Sequence, residues 1–226
     1  MKISIAIDGP AGSGKSSLAK EFANRHKEFL YINTGAMFRA IAYHLNMNNI
    51  DINNHNDIQR DIDKFNIKLE GDDIYIIEND QNINISHAIK EPLIANLASK
   101  IATIPFIRTK LLNEQRGIAN QHNVIMDGRD IGTVVLPFAN IKIFLNASSL
   151  ERAIRRKKEL EALYPNNTYD LEKIQSDIES RDLQDMSREI APLKKADDAI
   201  EINTDGMTVT SCCDLIDKIY NDYLIK

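Results

Sequence analysis

The segment Gly9-Pro10-Ala11-Gly12-Ser13-Gly14-Lys15-Ser16 fits G-x-x-x-x-G-K-[ST] at every fixed position, and its flanks are those such a loop requires. Before it, Ile3, Ile5 and Ile7 alternate with small Ser4 and Ala6, the pattern of a strand buried on both faces. After it, Leu18, Ala19, Phe22 and Ala23 recur at helical spacing between Lys15 and Arg25, so the opening unit reads strand, glycine turn, helix. Glycines let backbone N–H groups converge on phosphate oxygens, and the helix N-terminus adds partial positive charge. Lys15 then bridges the outer phosphates and Ser16 can ligate Mg²⁺. A strand-borne carboxylate should help hold that metal, and Asp127 ends the apolar run Val124-Ile125-Met126.

Further short apolar runs at Val124 to Met126, Ile141 to Leu145 and Ala199 to Ile202 alternate with helical patterns, which predicts a parallel α/β sheet flanked by helices. Between about residues 63 and 86 the pattern changes. Phe65, Ile67 and Leu69 alternate, Gly71-Asp72-Asp73 turns, Ile74 and Ile76 alternate, and Ile83 and Ile85 follow another polar turn, predicting a small antiparallel insert. A helical stretch after Pro92 should break at Pro105. Ser148-Ser149-Leu150-Glu151 is a capping box opening a helix to about Leu163. Another helix spans about Leu171 to Arg188, and a last one from about Thr208 places Cys212, Leu215, Ile219 and Tyr223 on one stripe. Cys212 is expected as a small core residue rather than a catalyst.

Across 226 residues, 28 Lys and Arg stand against 33 Asp and Glu, a net charge of −5 that disfavours a dedicated nucleic-acid binder. No apolar run approaches the ~18 residues of a membrane span and no signal-peptide core forms, so a cytoplasmic protein without a membrane partner is expected. Two adjacent cysteines, Cys212 and Cys213, offer no disulfide framework.

A phosphate loop does not name the phosphoryl acceptor. No N-K-x-D guanine motif occurs, which disfavours a GTPase. Arginines recur instead where ligands bind in open α/β sheets: Arg39 one turn into a helix, and Arg129 just past a strand end. In the helix from Leu171, the stripe Leu171, Ile174, Ile178 continues as Arg181, Asp185, Arg188, one face turning from apolar to charged. A kinase for a small phosphorylated substrate and a nucleotide-binding regulatory module both remain open at this point.

On these residues the chain closely resembles bacterial cytidylate kinases, of the nucleoside monophosphate kinase group. The likeness rests on GPAGSGKS from Gly9, TGAMFRA from Thr34, ANLASK from Ala95, MDGRDIGTVVLP from Met126, KIFLNASSLERAIRR from Lys142 and SREIAPL from Ser187. It implies a single P-loop NTPase domain over 1–226, with a monophosphate-binding region at 34–108 that includes an insert at 63–98, and a helical lid at 152–168. It implies transfer of the γ-phosphoryl of Mg-ATP to CMP or dCMP by a monomer. Carried over by position, Gly9, Pro10, Ala11, Gly12, Ser13, Gly14, Lys15, Ser16, Ser17 and Arg152 would bind ATP, and Ser16 and Asp127 the metal. Thr34, Arg39, Ser99, Arg108, Arg129, Asp130, Arg181, Asp185 and Arg188 would bind CMP, with Lys15, Arg129, Arg188 and Arg156 acting on the transferred group. Arg152 and Arg156 are the residues expected to close over ATP. Asp130 and Ser99 would accept from the cytosine amino group while Arg108 donates, an order that uracil reverses. Phe38, Gln184 and Met186 depart from the family pattern, which commonly has tyrosine at the first position and often arginine at the other two.

Overall fold

The computed structural model describes residues 2–71 and 73–225; Asp72, part of the first turn expected in the insert, lies outside them. Among the described residues two compact units form, one within 2–31 and 119–225, the other within 32–118.

The main sheet runs β2-β6-β1-β7-β8. Its strands are β1 (Ser4–Asp8), β2 (Phe29–Asn33), β6 (Asn123–Gly128), β7 (Ile141–Asn146) and β8 (Ile200–Asn203). β1 pairs in parallel with β6 on one side and β7 on the other, and β7 with β8. A strand flanked by neighbours and covered on both faces is apolar along its middle, which explains Ile5, Ala6 and Ile7, all fully buried. The first unit also holds α1 (Lys15–Arg25), α6 (Ser149–Leu163), α7 (Leu171–Ser187) and α8 (Val209–Leu224). Leu18 and Phe22 of α1 pack with Ile5, Ile7, Ile125, Ile143 and Cys213, Ile216 and Tyr220 of α8 in one core. Each large aliphatic side chain so buried contributes about 1.5–3 kcal/mol.

Two local expectations need correction. Ser148 does cap α6, its Oγ accepting from the Glu151 N–H at 3.3 Å. The reciprocal bond, however, comes from Asp205, which accepts the Ser148 N–H at 2.9 Å, while Glu151 takes Arg155 Nε at 3.0 Å. A better-placed carboxylate from a distant loop has displaced the local one. In α8 Cys212 is buried and Ile219 and Tyr223 pack against the core as expected, but Leu215 is 41% exposed, and Cys213, Ile216 and Tyr220 are buried beside Cys212. Both adjacent cysteines are small enough to enter the core together, which rotates the helix past Leu215.

The second unit joins α2 (Thr34–Met47), α3 (His55–Asp61), α4 (Pro92–Ile101) and α5 (Pro105–Gln121) to an antiparallel sheet of β3 (Asn66–Glu70), β4 (Asp73–Glu78) and β5 (Gln81–Asn84). Asn79 and Asp80 both hold positive φ in the β4–β5 hairpin, a turn that matches the right-handed strand twist and that Asn and Asp tolerate. Pro92 opens α4, where its missing N–H is no loss, and Pro105 opens α5, so the expected break falls between two helices. Ile85 is buried, but Ile83 is 43% exposed on the edge strand β5. Among the described residues no helix is long and apolar enough to cross a membrane.

Candidate active site

The site in the first unit is built where β1 and β6 end side by side, Asp8 opposite Gly128 in the ladder. The chain turns off β1 at Gly9, whose φ of 148° brings its Cα hydrogen against β7; an added Cβ would lie 2.1 Å from the Leu145 carbonyl oxygen. Only glycine fits there. The turn closes at Gly14, left-handed at φ 91°, as the N-cap of α1. Lys15 follows, buried, with Nζ donating to the Pro10 carbonyl at 2.6 Å and to Ser13 Oγ at 3.3 Å. Burial pushes its pKa well below the usual lysine range and Arg129 adds to this, with Arg181 acting in the same sense and Asp127 and Asp8 opposing. Two arginines and two aspartates thus surround Lys15, a charged site within a protein that as a whole is acidic.

Ser16 Oγ donates to Asp127 Oδ2 at 2.7 Å, and Tyr31 donates to the other oxygen, Oδ1, at 2.9 Å. The serine and the strand-end carboxylate picked out from the sequence are thus brought together. Their oxygens are hard donors of the kind Mg²⁺ takes one or two of when it arrives on a phosphate group. Ser17 is exposed in the first turn of α1.

Beyond Asp127 the backbone enters a single π-helical turn, Ile131–Val135, an uncommon geometry that recurs at functional sites. Ahead of that turn, Arg129 Nε donates to Asp185 Oδ2 at 2.8 Å. Arg188 reaches Asp130 at 3.5 Å and Asp185 at 3.7 Å, and its Nε donates to the Ala191 carbonyl at 2.6 Å. Four residues of the sequence-derived acceptor site therefore form one cluster, with side chains 7–8% exposed except for Arg129 at 19%. Arg156 instead pairs along its own helix with Glu159 at 2.7 Å. Arg152, expected to close over ATP, is buried. Its Nε donates to the Ala147 carbonyl and its NH1 to the Ala11 carbonyl, each at 3.0 Å, and it is ion-paired with Asp182.

In the second unit, Thr34 is buried at the start of α2, where the Asn33 side chain accepts the Ala36 N–H at 2.9 Å. Arg39 follows on α2, and Ser99 lies half-buried on α4. Arg108 on α5 donates to the Ala102 carbonyl at 3.1 Å and lies over the Phe38 ring at 5.6 Å from its centroid. Phe38 thus supplies a π face to a guanidinium, a contact that does not require the tyrosine hydroxyl the sequence lacks.

The family model for cytidylate kinase matches residues 5–222. The chain belongs to the cytidylate kinase family. A cytidylate kinase of Ureaplasma urealyticum serovar 10 is 47% identical over 99% of this chain and 96% of its own length. One of Fusobacterium nucleatum is 44% identical over 96% of both chains. In fold, a crystal structure of an uncharacterized protein from Eubacterium ventriosum aligns with a TM-score of 0.54 at 16% identity, over 97% of this chain and 99% of that one. As a cytidylate kinase family member the chain is a phosphotransferase.

A residue not singled out from the sequence joins the end of β1 to this cluster in the cytidylate kinase family member. The Asp8 carboxylate, buried at the end of β1, accepts the N–H of Ile131 at 2.8 Å and of Gly132 at 2.7 Å. It fastens the start of the π turn to the sheet, and a Cβ on Gly132 would sit 3.3 Å from it. At the far end of the segment, Lys142 Nζ donates to the Pro137 carbonyl at 2.6 Å and pairs with Asp198. Position was the available clue: Asp8 stands immediately before the glycine that opens the phosphate loop.

Burial pushes the Asp8 carboxyl up from 3.8 to about 6; the Gly132 and Ile131 N–H groups oppose this, Asp130 reinforces it and Lys15 opposes it. The folded state therefore holds a proton that the unfolded chain has already released. The stability from this group is full below 3.8 and is lost as pH rises through about 6. Between about pH 4.5 and pH 7.5, the unfolding free energy of the natural chain should fall by about 2 kcal/mol relative to Asp8→Asn, which cannot titrate. Urea unfolding of both proteins at the two pH values measures it, and an unchanged difference would contradict the assignment.

Proposed function

We propose that the chain transfers the γ-phosphoryl group of Mg-ATP to CMP or dCMP, giving CDP or dCDP. What carries this reading is that one unit joins the Lys15 loop and the Ser16–Asp127 pair to the cluster of Arg129, Asp130, Asp185 and Arg188. The first two suit a triphosphate and its metal, and the third suits an anionic, hydroxyl-bearing acceptor. Ser16 and Asp127 would hold the Mg²⁺, which neutralises charge on the donor phosphates. Lys15 would draw charge from the transferring group, with Arg156 near the donor, while Arg39, Arg129 and Arg188 grip the acceptor phosphate. Asp185 and Arg181 would hold the ribose hydroxyls, and Thr34 is assigned to the same nucleotide.

No protein base is needed. The second pKa of a phosphate monoester is about 6, so the attacking oxygen is already mostly ionised near neutrality. Catalysis then consists of orienting two anions in line and neutralising their charge. Asp130 and Ser99 would accept from the cytosine amino group and Arg108 would donate to the ring. UMP, with the reverse donor and acceptor order, would leave those groups unpaired at a large cost in turnover. We assign residues 152–168 as a lid that keeps water from the phosphoryl group. The enzyme is taken to act as a monomer in the cytoplasm, without nucleic acid or membrane.

Initial rates over a panel of nucleoside monophosphates at fixed Mg-ATP test this. CMP and dCMP should be turned over at least about a hundredfold more efficiently than UMP. Replacing Arg108 and Asp130 together with alanine should abolish most of that ratio. Robust turnover of another monophosphate with none of CMP or dCMP would overturn the assignment.

A further inference from the structure

Behind the phosphate loop lies an ion pair that the reaction as described does not use. Asp182 of α7 and Arg152 of α6 are paired with side chains 8% and 7% exposed. Asp182 Oδ1 accepts the Ala11 N–H at 3.0 Å, and Arg152 NH1 donates to the Ala11 carbonyl at 3.0 Å. Both backbone polar groups of one loop residue are thus taken by a single buried pair. Arg152 Nε is spent on the Ala147 carbonyl at the start of α6, which fixes the guanidinium plane. The loop also passes close to this side chain: a Cβ on Gly12 would lie 3.2 Å from Arg152 Cβ. Nearby, Gln175 Nε2 donates to Ser149 Oγ at 2.9 Å, so α6 and α7 are pinned to each other as well as to the loop.

We propose that Asp182 is a positioning residue for the phosphate loop, acting with Arg152 to hold Ala11 so that the neighbouring N–H groups face the donor phosphates. It touches neither substrate; its effect passes through the backbone. A loop of this kind binds only while its N–H groups converge, and Gly12, which follows Ala11 at positive φ, gives the chain no side chain to hold it on that side. The buried pair supplies that restraint from two helices at once. Arg152 is then part of the clamp and not a ligand of the nucleotide, which revises the role its place in the lid pattern suggests. This inference rests on the proposal that Gly9 to Ser16 binds the phosphates of ATP.

Calorimetric titration of Mg-ATP into the full chain, with steady-state kinetics, provides the test. Asp182→Ala and Arg152→Ala should each weaken ATP binding about tenfold, the size of one charge-assisted hydrogen bond, and the double variant should be little worse than either. The KM for CMP should change less than about twofold, which a general loss of structure would not spare. Asp182→Asn keeps one acceptor for the Ala11 N–H and should fall between the natural chain and Asp182→Ala, so the proposal stays testable if the alanine variant folds poorly. Hydrogen exchange at the Ala11 amide should be slow in the natural chain and fast in Asp182→Ala. If Asp182 only held Arg152 in reserve for ATP, Asp182→Ala would bind ATP more tightly, and Arg152→Ala more weakly. That result, or unchanged ATP affinity in Asp182→Ala, would overturn the clamp. Absence of ATP binding by the natural chain would instead overturn the proposed function.

Discussion

Lys15→Ala should lower kcat by about a thousandfold while the protein stays folded. The ammonium is the one cation set inside the phosphate loop itself, donating to Pro10 and Ser13 of that loop. Within a buried site its charge is weakly screened, so its attraction for a phosphate gaining negative charge far exceeds that of a surface lysine. Stability should move the other way. Burial, with Arg129 close by, already holds Lys15 well below the ordinary lysine range, so its charged form is costly in the folded protein. Removing it should leave the Tm unchanged or higher. Single-turnover kinetics with Mg-ATP and CMP, alongside thermal unfolding, separate the two effects. Turnover within tenfold of the natural chain would exclude the P-loop mechanism.

Arg188→Ala should reduce kcat/KM for CMP by about two to three orders of magnitude, with the KM for ATP changed less than about threefold. Arg188 is tied to the Ala191 carbonyl through Nε, and its terminal nitrogens face Asp130 and Asp185. Deleting it removes a proposed phosphate ligand and leaves two buried carboxylates less compensated, so a lower Tm is expected too. Arg188→Lys restores charge without the planar fork and should recover stability more fully than kcat/KM. If CMP kinetics fell only in proportion to the folded fraction, Arg188 would have no direct part in acceptor binding.

Local chemistry is what the sequence displays most openly. The strand, glycine turn and helix around Lys15 are legible because each signal lies within a few residues of the next. Asp127 is legible because a carboxylate ending an apolar run must emerge near the C-terminal end of its strand, where ligands bind in open α/β sheets. Asp8 has the same local signature, yet its partners are backbone N–H groups 123 and 124 positions away, which carry no side-chain mark. Asp182 lies four residues after Ile178 on the buried side of α7, but a carboxylate there makes sense only once Arg152 and Ala11 are seen to meet it. The capping of α6 shows the same limit. Ser148 was identifiable as the cap, whereas the carboxylate that completes the arrangement is Asp205, 57 residues away.

Asp8 and Gly9 are consecutive, so one peptide bond separates the anchor of the Arg129–Asp130 segment from the first residue of the phosphate loop. An engineer who wishes to change the acceptor by grafting residues 129–137 from another kinase inherits this junction. A graft whose backbone no longer offers two N–H groups to Asp8 would strand a buried carboxylate at the root of the loop. The injury would then surface as poor ATP use, at a place the graft never altered. Libraries aimed at new acceptors should vary side chains along that segment and hold its contact with Asp8 constant.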